Sequence, residues 1–253
     1  MESFQDSKQR FSNRVENYIK YRPGYPEEII GYLKEKINLT GSWVIADIGS
    51  GTGILSKLFL ENGNEVFGVE PNEAMRKAGE EQLKSYTKFK SINGNAEKTG
   101  LKENSVNLIV AGQAFHWFDV EKSKIEFKRI LKKDGVVSLI WNNRKTDSSK
   151  FLREYEDLLI NYTVDYKLVD HKNVSKEILN KFFEKYEFKI FSNKQVFDFE
   201  GLKGRLLSSS YAPTPEHPKY KPMIEKLEKI FNQNEENGKV KFEYDTELYY
   251  GII

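Results

Sequence analysis

The sequence predicts an α/β fold in which a mostly parallel sheet carries helices on both faces. Between Trp43 and Trp141, short runs rich in β-branched and aromatic residues alternate with amphipathic stretches, as in βαβ units. Several of these runs are almost continuously apolar, which is typical of strands covered on both faces. A glycine-rich turn follows the first run directly. The 253 residues suffice for one such domain with an appended cap.

Each predicted element follows from its apolar spacing. Two helices precede the sheet, with stripes of Phe11, Val15, Tyr18 and Ile19 in the first, and of Ile29, Ile30 and Leu33 in the second. The predicted strands are residues 43–48, 65–70, 89–92, 106–111 and 136–141. Crossover helices follow the first two strands, with stripes of Ile54, Leu55, Leu58 and Phe59, and of Ala74, Met75 and Ala78.

The pattern changes near residue 145. It becomes helical over residues 151–159 and 178–183, and strand-like over 188–191 and 195–199. The final segment, 240–249, alternates so that one face carries Val240, Phe242, Tyr244, Thr246 and Leu248, which predicts a closing strand. We therefore expect a single domain with N-terminal helices over 1–40, a central part over 41–145, and further helices and closing strands over 146–253.

The charge balance disfavours nucleic acid and membranes as partners. Forty Lys and Arg residues face 38 Asp and Glu residues, a net charge of +2, so there is no overall attraction to polyanions. A basic run lies within residues 122–133, but Glu126 dilutes it. Because Ile125, Ile130 and Leu131 predict a buried stripe there, we interpret the basic residues as a solvated helix face.

Residue counts exclude several kinds of chemistry. The absence of cysteine excludes disulfides, thiolate metal sites and cysteine nucleophiles. The three histidines, at 116, 171 and 217, are too far apart to suggest a metal motif, and the pair Asn142-Asn143 lacks the acidic neighbours of a magnesium site. No apolar run approaches the ~20 residues that span a bilayer, which predicts a cytoplasmic protein.

The first predicted strand runs into the glycine turn Asp47-Ile48-Gly49-Ser50-Gly51-Thr52-Gly53. Glycines allow the backbone to turn sharply and a ligand to approach the main chain, although a tight strand-to-helix junction can need glycine for packing alone. A dinucleotide fingerprint would place its third glycine where Ile54 stands, and no Gly-Lys-Ser/Thr follows as in a P-loop. The spacing therefore disfavours both pyrophosphate-binding motifs.

The pattern acid-x-Gly-x-Gly-x-Gly resembles motif I of the class I S-adenosylmethionine-dependent methyltransferases. Residues 18–26 (YIKYRPGYP), 113–119 (QAFHWFD) and 129–135 (RILKKDG) extend the resemblance to the type 11 methyltransferases, on the branch with trans-aconitate methyltransferase-like proteins. The resemblance covers residues 11–144. It implies a Rossmann-like, seven-stranded, mostly parallel sheet with an antiparallel last strand. It also implies a helical lid over 1–40, a cofactor-binding core over 41–145 and extra substrate-side helices after the fifth strand.

The resemblance implies S-adenosylmethionine as cofactor and S-adenosylhomocysteine as product. Glu70 ends the second strand, where it can accept hydrogen bonds from ribose hydroxyls; alternatively it is a first-turn helix acid. Asn95, where the family often has aspartate, could accept from the adenine amino group or serve as a turn residue. The predicted cofactor-binding residues are Asp47, Gly49, Ser50, Gly51, Gly53, Glu70, Pro71, Asn72, Met75, Asn95, Ala96, Glu97, Gln113 and Ala114.

Candidate acceptor residues lie around the carboxyl ends of the strands. His116 is the candidate catalytic base, or else a histidine hydrogen-bonded beside Trp117. Arg22 could clamp the carboxylate of the cofactor or of an acidic substrate, or be a surface arginine. Aromatic residues, Tyr25 among them, could line the pocket or simply pack. The predicted substrate-binding residues are Tyr21, Arg22, Trp117 and Tyr211.

The sequence thus predicts a methyltransferase acting on a small molecule, with a carboxylate-bearing acceptor as the first expectation. Two alternatives stay open. A methyltransferase acting on RNA or protein would show an open or basic groove beside the cofactor. A non-catalytic S-adenosylmethionine-binding protein would lack an acceptor cavity. A nicotinamide-dependent oxidoreductase is disfavoured by the glycine spacing, and a monomer or homodimer is expected.

Overall fold

The computed structural model describes residues 15–164, 166 and 174–253. Its helices are α1 (Val15–Tyr21), α2 (Glu28–Ile37), α3 (Ile54–Glu61), α4 (Glu73–Gln82), α5 (Val120–Ile130), α6 (Lys150–Tyr162), α7 (Lys176–Phe182), α8 (Phe199–Leu207) and α9 (Tyr220–Asn234), with a 3₁₀ turn at Phe115–Trp117. Its strands are β1 (Val44–Ile48), β2 (Glu65–Val69), β3 (Phe89–Ile92), β4 (Val106–Gly112), β5 (Leu131–Arg144), β6 (Lys185–Phe197) and β7 (Val240–Ile252).

The seven strands form one sheet in the order β3-β2-β1-β4-β5-β7-β6. The first five strands are mutually parallel, whereas β7 lies antiparallel between β5 and β6. The order reverses between β1 and β4, so a crevice opens at their carboxyl ends, where open α/β sheets bind ligands. The predicted fold class, with its reversed last strand and extra helices after the fifth strand, is confirmed.

Two apolar layers cover the faces of the sheet. Along β4, Ile109 and Ala111 pack into one layer, whereas Leu108 and Val110 pack into the other. This alternation explains why the central strands are apolar throughout, since both faces are buried. A third apolar cluster joins α6, α8 and α9 to the first half of β7. It builds a cap beside the carboxyl end of the sheet.

The structure corrects several sequence-based boundaries. The two strand-like runs at 188–191 and 195–199 are one strand, β6, and Phe199 opens α8 because Asp198 caps that helix through Gly201 N. Strand β5 is longer than predicted. Of the predicted stripe in this region, Ile130 and Leu131 are buried, whereas Ile125 is 72% exposed and Phe127 is buried in its place.

The end of α1 and the segment that follows it are hydrogen-bonded through their backbone carbonyls to strands β5 and β6. The carbonyl of Gly24 accepts hydrogen bonds from the side-chain amides of Asn142 and Asn193, at 3.1 and 2.9 Å. The carbonyl of Tyr21 accepts one from Gln195 at 3.1 Å. The segment that follows α1 is therefore held over the crevice by β5 and β6.

Three sequence-based statements are not decided by the structure. Phe11 and His171 lie outside the described residues, and the division of the chain at residues 40 and 145 stays a prediction. Among the helices that the structure describes, none is long and apolar enough to cross a membrane.

Candidate functional site

The glycine turn between β1 and α3 adopts the backbone that its sequence predicts. Gly49, Gly51 and Gly53 have φ of 71°, 56° and 82°, in the region that favours glycine. A Cβ on Gly49 would lie 2.7 Å from the Cβ of Ala114, so the turn also requires close packing. The packing and ligand-binding interpretations of this turn are therefore compatible.

Glu70 is buried immediately after β2 and holds the glycine turn. One carboxylate oxygen accepts from the backbone N–H of Gly51 at 2.9 Å, and the other from that of Asn72 at 2.8 Å. Asn72 in turn caps α4 by accepting from Met75 N at 3.0 Å. The carboxylate thus lies between the first two βα turns of the sheet, at the place predicted for the ribose contact.

Asp47 is the buried acid of the turn, and it is 1% exposed. Its Oδ2 accepts a 2.7 Å hydrogen bond from the Ser56 hydroxyl, whereas its Oδ1 has no hydrogen-bond partner among the described residues. Burial raises the pKa of this carboxyl to about 7, against the lowering effect of Ser56 and with a smaller raising effect from the charge of Glu70. A cation brought next to Asp47 would stabilise its ionised form.

The remaining predicted cofactor residues surround these turns. Asn95 lies in the turn that it could alternatively form, with its side-chain oxygen accepting from Lys98 N at 2.8 Å. Glu97 accepts from the backbone N–H of Asp119 at 2.9 Å, which ties the third βα turn to the start of α5. Met75, Asn72, Ala96 and Ala114 are buried, while Pro71 is partly exposed. None of these contacts excludes a cofactor role.

A cavity of about 170 Å³ opens beside the glycine turn. Its walls come from the turns after β1 and β4, from the residues around the end of α1, and from the cap. The lining includes Tyr18, Arg22, Tyr25, Asp47, Gly49, Ser50, Gly51, Thr52, Gln113, His116, Trp117, Asn142, Arg144, Tyr166, Arg205 and Tyr211. Six predicted cofactor and catalytic residues are therefore brought together with three of the four predicted substrate residues.

Tyr21 is the predicted substrate residue that does not line this cavity. Its ring packs on Phe197 with centroids 6.4 Å apart, and it lies directly against the Cα of Gly204. The tyrosine therefore fixes α1 to α8 instead of facing the crevice. The neighbouring residues Tyr18 and Tyr25 line the cavity instead and give it aromatic surface.

His116 and Trp117 belong to the 3₁₀ turn that follows β4. Their ring centroids are 4.9 Å apart, and both line the cavity. Gln113, just before this turn, adopts φ of 56°, an uncommon conformation for a residue with a side chain, and its amide donates to the carbonyl of Asn142 at 3.2 Å. The turn is thus fixed at the carboxyl edge of the sheet with His116 facing the crevice.

The sequence analysis missed two of the three arginines in the lining. Arg144, at the end of β5, pairs with Glu156 of α6 and with the hydroxyl of Tyr166. Arg205, on α8, is 7% exposed and belongs to none of the ion pairs found among the described residues. The sequence carries one signal for this arginine, since it lies among the leucines of segment 202–207 and is therefore expected to be partly buried. A buried arginine normally has a partner, which makes such a residue a candidate for ligand binding.

The cavity lining is consequently positive. Among the residues of the lining that the structure describes, Arg22, Arg144 and Arg205 face one acid, Asp47, and Glu156 neutralises Arg144 from behind. Burial and the nearby charge of Arg205 lower the pKa of Arg22. Two like charges held in a buried site call for an anionic ligand. In the described parts of the chain, no group of three or more His, Asp or Glu side chains could hold a metal ion.

The buried Asp47 predicts a specific pH dependence of stability. The unfolded carboxyl has a pKa near 3.8 and the folded one about 7, so the folded protein retains a proton between these values. The free energy of unfolding of the ligand-free protein should therefore fall as pH rises from about 4 to about 7, by on the order of 3 kcal/mol. Urea denaturation at pH 5 and pH 8 measures this change. The same change in Asp47→Asn would contradict the assignment.

Comparisons with known proteins agree with this geometry. Residues 46–139 match the type 11 methyltransferase domain family. An uncharacterized methyltransferase of Mycobacterium bovis is 32% identical over 142 residues, which are 56% of this chain and 56% of that protein. The chain thus spans about half the length of that curated relative. An uncharacterized methyltransferase-like protein of Schizosaccharomyces pombe is 24% identical over 247 residues, covering 93% of this chain and 92% of that protein.

Solved structures extend the likeness of fold to the whole chain. The phosphoethanolamine N-methyltransferase 2 of Haemonchus contortus, solved with phosphomonomethylethanolamine and S-adenosylhomocysteine, superposes with a TM-score of 0.58 at 16% identity. The superposition covers 98% of this chain and 59% of that one. At this identity the likeness is one of fold. Residues 46–139 thus match a methyltransferase domain, and the chain as a whole shares the fold of a solved methyltransferase.

Proposed function

We propose that this protein transfers a methyl group from S-adenosylmethionine to a small acidic molecule bound in the cavity. The cofactor supplies a methyl group already activated by its positively charged sulfur, so the protein mainly has to hold an acceptor nucleophile in line with it. Since residues of the glycine turn line the cavity, an acceptor bound there would lie next to the cofactor. This proposal includes the lid role of residues 1–40 and the substrate-side role of residues 146–253.

The observation that supports the acidic acceptor is the positive charge of the cavity. Of the three arginines in the lining, only Arg144 has a carboxylate partner among the described residues. Guanidinium groups bind carboxylates through paired, charge-assisted hydrogen bonds, which are about twice as strong as neutral ones. An acceptor carrying a carboxylate would satisfy these groups, whereas a neutral one would leave them without a counter-charge.

The size of the cavity favours a small acceptor over RNA or protein. The cavity of about 170 Å³ is bounded by the glycine turn as well as by the 3₁₀ turn, the end of α1 and the cap, so beside the cofactor it admits a compact molecule. Trp117 and Tyr211 would cover its apolar part and exclude water. If the acceptor atom is a carboxylate oxygen, no proton has to leave; if it is a hydroxyl, amine or acidic carbon, His116 is the group placed to take the proton.

The test measures transfer of a radiolabelled methyl group from S-adenosylmethionine to panels of acceptors. Small mono-, di- and tricarboxylates are compared with the corresponding neutral amides, and bulk RNA and an unfolded protein are added as macromolecular acceptors. We expect labelling of one or more carboxylates and of none of the amides. Labelling of RNA or protein alone would contradict the proposal, and cofactor binding without any transfer would favour the non-catalytic alternative. The cytoplasmic location and the monomeric or homodimeric state stay predictions.

A further inference from the structure

We propose that the two lining arginines that have no carboxylate partner among the described residues bind two different anions. Arg22 binds the carboxylate of S-adenosylmethionine, and Arg205 binds the acidic group of the acceptor. The inference rests on the proposed function, because it needs both a cofactor and an acidic acceptor in one cavity. It states which of the two ligands Arg22 binds. It also assigns the recognition of the acceptor to Arg205, which lies outside the matched residues 46–139.

The contacts of Arg22 leave part of its guanidinium available inside the crevice. Its Nη2 donates to the carbonyl of Ser208 at 2.9 Å, and the group lies over the ring of Tyr18, 4.9 Å from the centroid. Its Nε is buried and has no hydrogen-bond partner among the described residues. These contacts fix the orientation of the side chain while one donor still lacks an acceptor.

Thr52 supplies a second unsatisfied polar group in the same place. It is 3% exposed, and its hydroxyl has no partner within the described parts of the chain. Thr52 and Arg22 line both the acceptor cavity and an adjoining one of about 350 Å³ beneath α1, so they stand at the boundary between the two. A hydroxyl and a guanidinium donor therefore line the same two cavities beside the glycine turn.

The N-terminus of α3 adds a third contribution to this position. The eight-residue helix begins at Ile54, and its N-cap, Gly53, offers no side-chain oxygen to the first-turn N–H groups. The backbone N–H of Ser56 in this turn already donates to Asp47, so the helix dipole and the remaining first-turn N–H groups are what favour an anion there. An anion held by the glycine turn, Thr52 and Arg22 belongs to the ligand of that turn, which is the cofactor.

Arg205 approaches the cavity from the cap. Its Nε donates to the hydroxyl of Tyr244 at 3.4 Å and its Nη1 to that of Ser209 at 3.2 Å, and both neighbours are neutral. Arg144, Tyr166 and Tyr211 line the same part of the cavity. Arg205 is close enough to Arg22 for its charge to lower the pKa of Arg22, but its own hydrogen-bond partners are residues of the cap and none belongs to the glycine turn, so we assign an anion bound at Arg205 to the acceptor.

The first experiment is calorimetric titration with S-adenosylmethionine and with decarboxylated S-adenosylmethionine, which lacks only the carboxylate. The wild-type protein should prefer S-adenosylmethionine by roughly 10- to 100-fold, the effect of a charge-assisted hydrogen bond. The ratio of the two affinities should fall towards 1 in Arg22→Gln, fall partly in Thr52→Val, and be retained in the matched control Arg205→Gln. Because each ratio is measured within one variant, a change in the folded fraction cancels. A retained ratio in Arg22→Gln, or an equal loss in Arg205→Gln, would overturn the assignment.

The second experiment examines the acceptor anion with malonate as the probe. Malonate is titrated into protein saturated with S-adenosylhomocysteine, whose carboxylate then occupies Arg22. We expect Arg205→Gln to weaken malonate binding at least about tenfold, and Arg22→Gln to change it much less. The opposite order, or no malonate binding to the wild-type complex, would refute the role of Arg205. A failure of the proposed function can be told apart from a failure of this inference. In that case no methyl transfer would be detected, while the expected effects of the arginine variants on cofactor and malonate binding would still be observed.

Discussion

Glu70→Ala is expected to weaken S-adenosylmethionine binding by roughly 100-fold or more. The carboxylate accepts from Gly51 N and Asn72 N, so it orders two turns around the cofactor position before any ligand arrives. Each charge-assisted hydrogen bond contributes about 1.5–3 kcal/mol, and loss of the ribose contact would add to the effect. Calorimetric titration of wild type and variant with S-adenosylmethionine, S-adenosylhomocysteine and NADH measures the change.

Glu73→Gln is the matched control for Glu70→Ala. Glu73 lies three residues further on, in the first turn of α4, where its exposed carboxylate pairs with exposed Lys77 at 2.6 Å. We expect its cofactor affinity to equal that of the wild type. Glu70→Gln keeps the shape but loses the charge, so its affinity should lie between those of wild type and Glu70→Ala. If NADH alone bound to the wild-type protein, the cofactor assignment would be wrong.

Gly49→Ala is expected to lower the free energy of unfolding by about 2–4 kcal/mol. Its φ of 71° strains any residue with a Cβ, at roughly 1–2 kcal/mol. The added Cβ would also lie 2.7 Å from that of Ala114, which belongs to the buried layer under the 3₁₀ turn and has no flexible end to move. Such overpacking typically costs a further 1–3 kcal/mol.

Gly63→Ala separates the two contributions to the Gly49 effect. Gly63 also has a positive φ, 90°, but a Cβ built there meets nothing within 4 Å. Its substitution should therefore show the backbone strain alone, about 1 kcal/mol. Urea denaturation of both variants gives the comparison. Equal losses at the two positions would show that Ala114 moves aside and that the turn is not tightly packed.

The fold could be predicted because its signals are local. Each parallel strand is apolar along its length and is followed by a helix-period segment, so the alternation can be identified from windows of ten residues. The boundary between β6 and α8 was harder to predict. Phe197 and Phe199 continue a strand-like alternation, and only the cap formed by Asp198 ends the strand.

The candidate site likewise contains residues that local sequence motifs predict and residues that only tertiary packing brings to the cavity. Asp47, the three glycines and Glu70 occur in motifs whose spacing determines their positions, and the structure brings them together. Arg205 and Arg144 could not be placed from spacing, because they reach the cavity through the packing of α6, α8 and β7 against the end of the sheet. Tyr21 could not be placed from the sequence either, because its ring packs against Phe197 and Gly204 while its neighbours Tyr18 and Arg22 line the cavity.

The hydrogen bond from Arg22 to the carbonyl of Ser208 joins residues 186 positions apart in sequence. During synthesis the helix that precedes Arg22 emerges from the ribosome early, while its acceptor has not yet been made. At about 5–20 residues per second, this helix waits on the order of 10–40 s for its docking partner. The cofactor-binding half of the sheet can form during that interval, so the ligand-binding crevice is completed last, when the final third of the chain arrives.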